Sequence, residues 1–385
     1  MSRGKRVVVA MIGGVDSSVA AALLVRAGYD CIGITMQLWS RERPAHGESG
    51  CCSLSAVEDA RRVASTLGIP YYVVNFAQRF DEEVIERFVA AYLAGETPNP
   101  CIECNERIKF GLLWEKAADL CADYVATGHY ARVGFDPERG RYVVRRAVDP
   151  RKDQSYTFHG LTQSRLEHIL TPVGEYTKAE IRELAAQFGL NVAKKPDSQE
   201  LCFVPGNDYG NFLRERAPQS VKPGPILDLS GRVIGEHRGI AFYTVGQRKG
   251  LGISGREPSY VVSIDAERNA LVVGPKEAVR GSALIAREVN WVSVPAPEAP
   301  LEVTAKIRYN TAPQPARVEP LPGGRARVVF ESPQIAITPG QSVVWYDGDL
   351  LLGGGRIERE ERGVESSGAS VGQAPGLSAS LVGEP

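Results

Sequence analysis

The chain has 385 residues, 43% apolar and 24% charged, which is enough for two or three domains, each with its own core, and excludes a wholly disordered or fibrous protein. Its 45 Lys and Arg against 46 Asp and Glu give a net charge of −1, which argues against a dedicated nucleic-acid binder with a basic coat. No apolar run approaches the ~20 residues of a spanning helix, and the apolar run after MSRGKR is too short for a secretory signal, so a soluble cytoplasmic protein is expected.

In chain order, β-branched runs predict strands at Val7–Met11, Cys31–Met36, Tyr71–Val74 and Tyr124–Ala126. Helical periodicity falls between them, at Ser17–Ala27, Leu54–Leu67, Asp81–Leu93 and Asn105–Leu120. This alternation implies a parallel sheet flanked by helices, with ligands at the carboxyl ends of the strands. Thr177-x-x-Glu180 is a capping box that opens a helix to about Phe188, and Asn191 to Ser198 reads as a loop. From about residue 205, Gly and Pro become frequent and short alternating runs appear at Tyr260–Ile264, Ala270–Val273, Val303–Arg308, Ala326–Phe330 and Ser342–Trp345. The expected organisation is an α/β domain over 1–205, a small, mostly β linking domain over 206–279, a β-barrel over 280–360 and a disordered tail over 361–385.

The first strand ends in Ile12-Gly13-Gly14-Val15-Asp16-Ser17-Ser18, directly before a helix. Glycines there allow a tight turn, and the first helical amides with the Ser17 and Ser18 hydroxyls then face an anion. A Walker loop is excluded because the Gly-Lys-Ser/Thr ending is absent. GGVDSS resembles the pyrophosphate (PP) loop, SGGxDSS, of enzymes that split ATP into AMP and pyrophosphate. Ile12 replaces the serine of that pattern, so an ATP site weakened by about 0.5–1.5 kcal/mol is expected, the size of one neutral hydrogen bond.

All seven cysteines lie in the first 202 residues, an odd number that favours catalytic or metal-binding thiols over a disulfide scaffold. In Thr97-Pro98-Asn99-Pro100-Cys101-Ile102-Glu103-Cys104, two prolines stiffen the loop. Cys104 is expected just before a helix, where amide dipoles stabilise a thiolate. Cys202 supplies a third thiol, Cys31 and Cys121 read as small buried residues, and Cys51-Cys52 lies in a loop. Two chemistries fit Cys101, Cys104 and Cys202. One is sulfur transfer from a persulfide on Cys202 with attack by Cys104; the other is an iron–sulfur cluster with an open iron. Zinc lacks a fourth ligand.

Taken together, GGVDSS, TPNPCIECN, ATGHYAR, KDQSY, LCF, VGQRKGLGI, KIRY and TPGQS with GGG resemble the bacterial tRNA-specific 2-thiouridylase family, over roughly residues 6 to 358. The resemblance implies an adenine-nucleotide hydrolase-like PP-loop fold. It also implies an ATP-dependent sulfurtransferase that adenylates O2 of the wobble uridine and replaces it with sulfur from a protein persulfide. Its partners would be the tRNA anticodon stem-loop and a persulfide-donor protein, with no membrane. Carried over, Ala10, Met11, Ile12, Gly13, Gly14, Val15, Asp16 and Ser17 would hold ATP phosphates, Asp16 with Mg²⁺. Met36 and Gly128 would line the adenosine, Cys104 would be the nucleophile and Cys202 the persulfide carrier. Asn99, Pro100 and Cys101 would face the flipped base, and His129, Lys152, Asp153, Gln154, Arg308, Tyr309 and Gln341 would contact tRNA. Arg248 and Lys249 would meet its backbone. Two other readings stay open: an ATP-pyrophosphatase with another acceptor, such as an amidating synthetase, and a tRNA-binding relative with a decayed ATP site. Between Arg132 and Lys152, seven basic residues stand against three acidic ones, a local patch that the net charge hides.

Overall fold

A computed structural model describes residues 4–38, 54–193, 195, 201–204, 208–253 and 257–359. Cys51, Cys52, most of the 194–200 loop and the tail from 361 lie outside these residues.

The first sheet is parallel, in the order Tyr71–Asn75, Asp30–Gln37, Arg6–Ala10, Tyr124–Ala126, Ile169–Leu170. Along Arg6–Ala10, Val8 and Ala10 pack into one apolar cluster while Val7 and Val9 enter the opposite one. Both faces are covered, which is why this strand reads as an unbroken apolar run. The chain order reverses between Arg6–Ala10 and Tyr124–Ala126, and the crevice at their carboxyl ends is the position where such sheets bind ligands. Helix Val15–Arg26 leaves from one side of that crevice.

Two helices begin earlier than periodicity predicts. The one expected from Asp81 starts at Ala77, where the Asn75 Oδ1 accepts the Ala77 N–H at 2.9 Å, and runs to Leu93 through a wider π-type segment at Asp81–Ile85. The one expected from Asn105 starts at Pro100, capped by the Asn99 side chain. It passes through π-type turns at Cys104–Leu112 and ends at Asp119. Cys104 therefore sits a full turn inside the helix rather than before it, because Asn99 and Pro100 form the preferred N-cap and N1 pair. The capping box at Thr177 is present, with both reciprocal bonds.

The alternation also misses a hairpin, Ala131–Asp136 with Arg141–Arg146. Although it lies within the first domain's sequence, it joins the barrel sheet, where Val144 and Arg145 pair with Leu351 and Leu350. The barrel consists of Arg280–Trp291, Arg325–Ile335, Gln314–Leu321, Leu301–Lys306, Ser342–Asp347 and Leu350–Ile357, and it closes where the last strand pairs with the first. A four-stranded central sheet, in the order Tyr260–Asp265, Ala270–Gly274, Gly224–Leu227, Val233–His237, lies between the two. The architecture is therefore the expected α/β domain, small β domain and barrel. Trp345 is fully buried inside the barrel, while the next residue, Tyr346, faces the other way and is fully buried against the first domain. Buried polar bonds dock the barrel on the first domain: the Tyr156 hydroxyl donates to Ser342 O at 2.7 Å, and Asn290 donates to His159 O at 2.8 Å.

Candidate functional site

The loop after Arg6–Ala10 has the shape an anion needs. Gly13 adopts φ +68°, and a Cβ there would collide with the Ala56 carbonyl, so only glycine fits. The N-cap of helix Val15–Arg26 is Gly14, with no side-chain cap, which leaves the first amides uncapped by a side chain. The Ser18 hydroxyl donates to Gly14 O at 2.8 Å, and Ser17 Oγ accepts the Ile12 N–H at 3.3 Å, so the serines brace the turn. The Ile12 side chain is 37% exposed at its rim.

Across the crevice, Gly128 lies so close that a Cβ would sit 2.6 Å from the Ser17 nitrogen. Met36 is buried near the carboxyl end of the neighbouring strand. Asp16 is not an open carboxylate: Lys178 Nζ donates to its two oxygens at 2.7 and 2.9 Å, and the Tyr130 hydroxyl donates to Oδ1 at 2.7 Å. Lys195 Nζ donates to Gly13 O at 3.0 Å and to Asp59 at 2.8 Å. Lys178, Tyr130 and Lys195 were not singled out from the sequence; only Tyr130, inside ATGHYAR, carried a signal there.

The Cys104 helix meets this crevice through one hydrogen-bonded chain. Asn105 donates to Thr157 Oγ1 at 2.9 Å, and Lys109 Nζ donates to Asn105 Oδ1 at 2.9 Å and lies 3.4 Å from His129 Nε2. His129 Nδ1 lies 2.8 Å from Thr127 Oγ1. Burial, and then the Lys109 charge, hold the His129 pKa well below the usual value, so the ring is neutral. An ammonium only donates, so Nε2 accepts and Nδ1–H donates to Thr127. Lys109 is another residue that sequence reasoning missed.

Cys104 is buried in the apolar cluster of the 77–93 and 100–119 helices, and Cys202 packs against that same cluster. Phe203 anchors the Cys202 loop, its ring 5.0 Å from Phe88 and 6.0 Å from Phe80, edge to face. Cys101 is exposed and lies near Tyr309, whose hydroxyl is pushed up to about 12 by burial, then Asp153 and Cys101. Among the described residues no three His, Cys, Asp or Glu side chains converge to hold a metal ion, so the exposed Cys101 and buried Cys104 do not fit a three-thiolate cluster with Cys202. Cys31 is buried as expected, and its thiol is pushed up to about 11 by desolvation, then by Asp30. Cys121 corrects the expectation of burial: it is exposed, in a left-handed turn at φ 53° after the helix end.

The residues expected to meet tRNA are largely engaged inside the protein. Gln341 Nε2 donates to Thr97 O at 2.8 Å, and Gln154 Oε1 accepts the Tyr130 N–H at 2.9 Å. Asp153 accepts from Ala147 N and Ser155 N, both at 3.1 Å. Arg308 donates to Ala336 O at 2.5 Å and Thr338 Oγ1 at 2.9 Å. The Lys152 N–H donates to Asp149 O at 3.1 Å, and His129 is 9% exposed. Arg248 and Lys249 are exposed in a turn. The basic stretch is mostly neutralised: Arg132 and Arg145 pair with Asp349, Arg139 and Arg145 with Asp136, and Arg151 with Asp149.

Residues 5–206 match the sequence family described as tRNA methyl transferase HUP domain, residues 210–275 its PRC-barrel domain, and residues 281–357 the aminomethyltransferase beta-barrel domain. The chain is 56% identical over 351 residues to the tRNA-specific 2-thiouridylase MnmA of Moorella thermoacetica, covering 91% of this chain and 98% of that protein. It is 57% identical over 355 residues to that of Heliobacterium modesticaldum, covering 92% of each. It is 53% identical over 361 residues to that of Desulforamulus reducens, covering 93% and 98%. No helix of the described residues is long and apolar enough to cross a membrane.

Proposed function

The chain belongs to the tRNA-specific 2-thiouridylase family, and on that premise we propose that it converts the wobble uridine of tRNA to 2-thiouridine, with ATP and a protein persulfide as co-substrates. The observation that carries the reading is the continuous path from phosphate loop to nucleophile: Gly128 against Ser17, then His129, Lys109 and Asn105, the residue after Cys104.

Residues Ala10 to Ser17 hold the ATP phosphates on the uncapped helix, with Met36 and Gly128 beside the nucleoside. Mg²⁺ would arrive on those phosphates and meet Asp16, where it competes with Lys178 for the carboxylate. Uridine O2 attacks the α-phosphorus and pyrophosphate leaves. The terminal sulfur of a Cys202 persulfide then attacks C2, and AMP leaves with the oxygen. The Cys104 thiolate attacks Cys202 Sγ, releasing 2-thiouridine and leaving a Cys104–Cys202 disulfide for a thiol reductant to reopen. The apolar cluster that holds Cys104 and against which the partly buried Cys202 packs supports this pairing. Asn99, Pro100 and Cys101 present the base, with Gln341 holding their loop to the barrel. His129, Lys152, Asp153, Gln154, Arg308 and Tyr309 shape the surface that receives the anticodon stem-loop.

Purified protein supplied with ATP, Mg²⁺, a persulfide donor and unmodified tRNA is expected to yield 2-thiouridine with matching AMP and pyrophosphate. Cys104→Ser and Cys202→Ser should abolish the thionucleoside. AMP formation without any 2-thiouridine, and independent of tRNA, would assign the ATP site to another acceptor.

A further inference from the structure

We propose that Arg146 and Lys306 form a binding site for a backbone phosphate of the tRNA, at the seam where the 131–146 hairpin joins the barrel. The proposal rests on the tRNA-thiolation reading above.

Arg146 is the anomaly of the basic stretch. Its guanidinium carbon lies 4.1 Å from the centre of the Tyr346 ring, yet Nε and Nη2 are buried with no hydrogen-bond partner. Its neighbours Arg132, Arg145 and Arg151 each hold an aspartate. Lys306, the last residue of strand Leu301–Lys306, has its ammonium 5.8 Å from the centres of both Tyr156 and Tyr309. Among the described residues neither cation has a carboxylate oxygen within the 4.0 Å of an ion pair. Burial holds the Lys306 ammonium below the usual lysine range, with Asp153 pulling it up and Arg146 pushing it down. Asp153 is already committed, since Oδ1 accepts Ala147 N and Ser155 N and Oδ2 accepts the Ser155 hydroxyl at 3.0 Å.

The Arg146 guanidinium lacks the partners that buried polar groups normally have, and the two cations outnumber the one carboxylate, Asp153, that acts on Lys306. An incoming anion supplies the missing partner and the missing charge. A guanidinium fork and an ammonium point charge, backed by tyrosine faces, suit a phosphate. The ATP phosphates have their own loop and their own lysines, Lys178 and Lys195. Tyr309, by contrast, adjoins Cys101 in the segment expected to face the base. The phosphate at this seam is therefore one next to the flipped uridine.

The test measures binding of fluorescent unmodified tRNA to the full chain over a salt series, for wild type, Arg146→Met, Lys306→Met and Arg146→Lys. Each Met variant is expected to bind tRNA roughly tenfold more weakly, the size of one charge-assisted contact. The slope of log affinity against log salt should fall by about 0.7–0.9. Arg146→Lys should keep the wild-type slope. ATP binding measured by calorimetry should not change, and the melting temperature of Arg146→Met should hold or rise, because an unpaired buried cation has been removed. Unchanged affinity and slope in both Met variants would overturn the site. So would weakened tRNA binding with a lowered melting temperature that Arg146→Lys does not restore, since that assigns Arg146 to the fold. Wild type that binds tRNA with this residue dependence but forms no 2-thiouridine would reject the thiolation reading and leave the phosphate site standing.

Discussion

Ile12 sits on the rim of the phosphate loop, its side chain 37% exposed and its N–H held by Ser17. A serine there would add a hydroxyl without disturbing the buried core, so Ile12→Ser is expected to tighten ATP binding by up to about tenfold, one neutral hydrogen bond of about 0.5–1.5 kcal/mol. Calorimetric titration with ATP checks this, and equal affinities would show that the loop's backbone alone sets the binding. Glu106, two residues beyond Cys104, makes a second prediction. Its carboxyl is pushed up to about 7, by burial first and by Glu103 next, against the pull of Arg107, Arg356 and Arg165. It lies in the notch left by Gly160, where a Cβ would collide with it. Between about 4.5 and 7 the folded chain keeps a proton that the unfolded chain has lost. The contribution of this group to stability is therefore whole below pH 4.5 and lost as pH rises to about 7. Glu106→Gln should raise the melting temperature at pH 8 and bring almost no gain at pH 4; a gain of equal size at both would discard the titration argument.

At the scale of elements, the Cys104 helix shows what the sequence conveys and what it conceals. Proline at position 100 and asparagine at position 99 announce a start, yet apolar periodicity resumes only later, and reading periodicity alone placed the start at Asn105. The π-type turns at Cys104–Leu112 have no signature in a 3.6-residue pattern. Strands buried on both faces, such as Arg6–Ala10, and the capping box at Thr177 were legible because their signals are local. The phosphate loop and the three thiols were legible as motifs, whereas Lys109, Lys178 and Lys195 reach the site from distant segments with no motif of their own. What fixes the helix to the barrel is equally non-local. Glu103 is buried, and although burial alone would raise its carboxyl, bonds to Arg107 and Arg356 hold it below the usual range. Arg356→Met leaves Arg107 as the remaining partner. It should cost about 3 kcal/mol, the low end for breaking a buried pair, as read by chemical denaturation. A loss under about 1 kcal/mol, as for an exposed pair, would show that Arg107 alone suffices.

At the scale of the whole molecule, the hairpin 131–146 crosses the boundary that composition suggested. Its second strand pairs with Leu350–Ile357, so residues from the first domain's part of the sequence extend a sheet built by the last third. Long-range pairing of this kind leaves no periodic trace, which is why both the hairpin and the docking of the barrel were invisible in the alternation of strand and helix. The hairpin also explains the charge balance. Its arginines looked like a basic patch, but Asp136, Asp149 and Asp349 neutralise most of them, with N···O distances from 2.6 to 3.6 Å. Arg141 turns to the carbonyls of Trp291 and Val292 at 3.2 and 3.0 Å. Among the described residues Arg146 and Lys306 at the seam, and Arg248 and Lys249 on their turn, make no ion pair, and these four are proposed to meet the polyanion. Each phosphate contact releases counterions and contributes about 0.7–0.9 to the slope of log affinity against log salt. Four cations therefore predict a slope of about −3 for tRNA binding, far shallower than the roughly −10 of a strongly salt-dependent DNA-binding protein. Measured affinities between about 50 and 300 mM monovalent salt decide it. A slope steeper than about −6 would mean that the internal aspartate pairs open when tRNA binds and release the hairpin arginines to the phosphates.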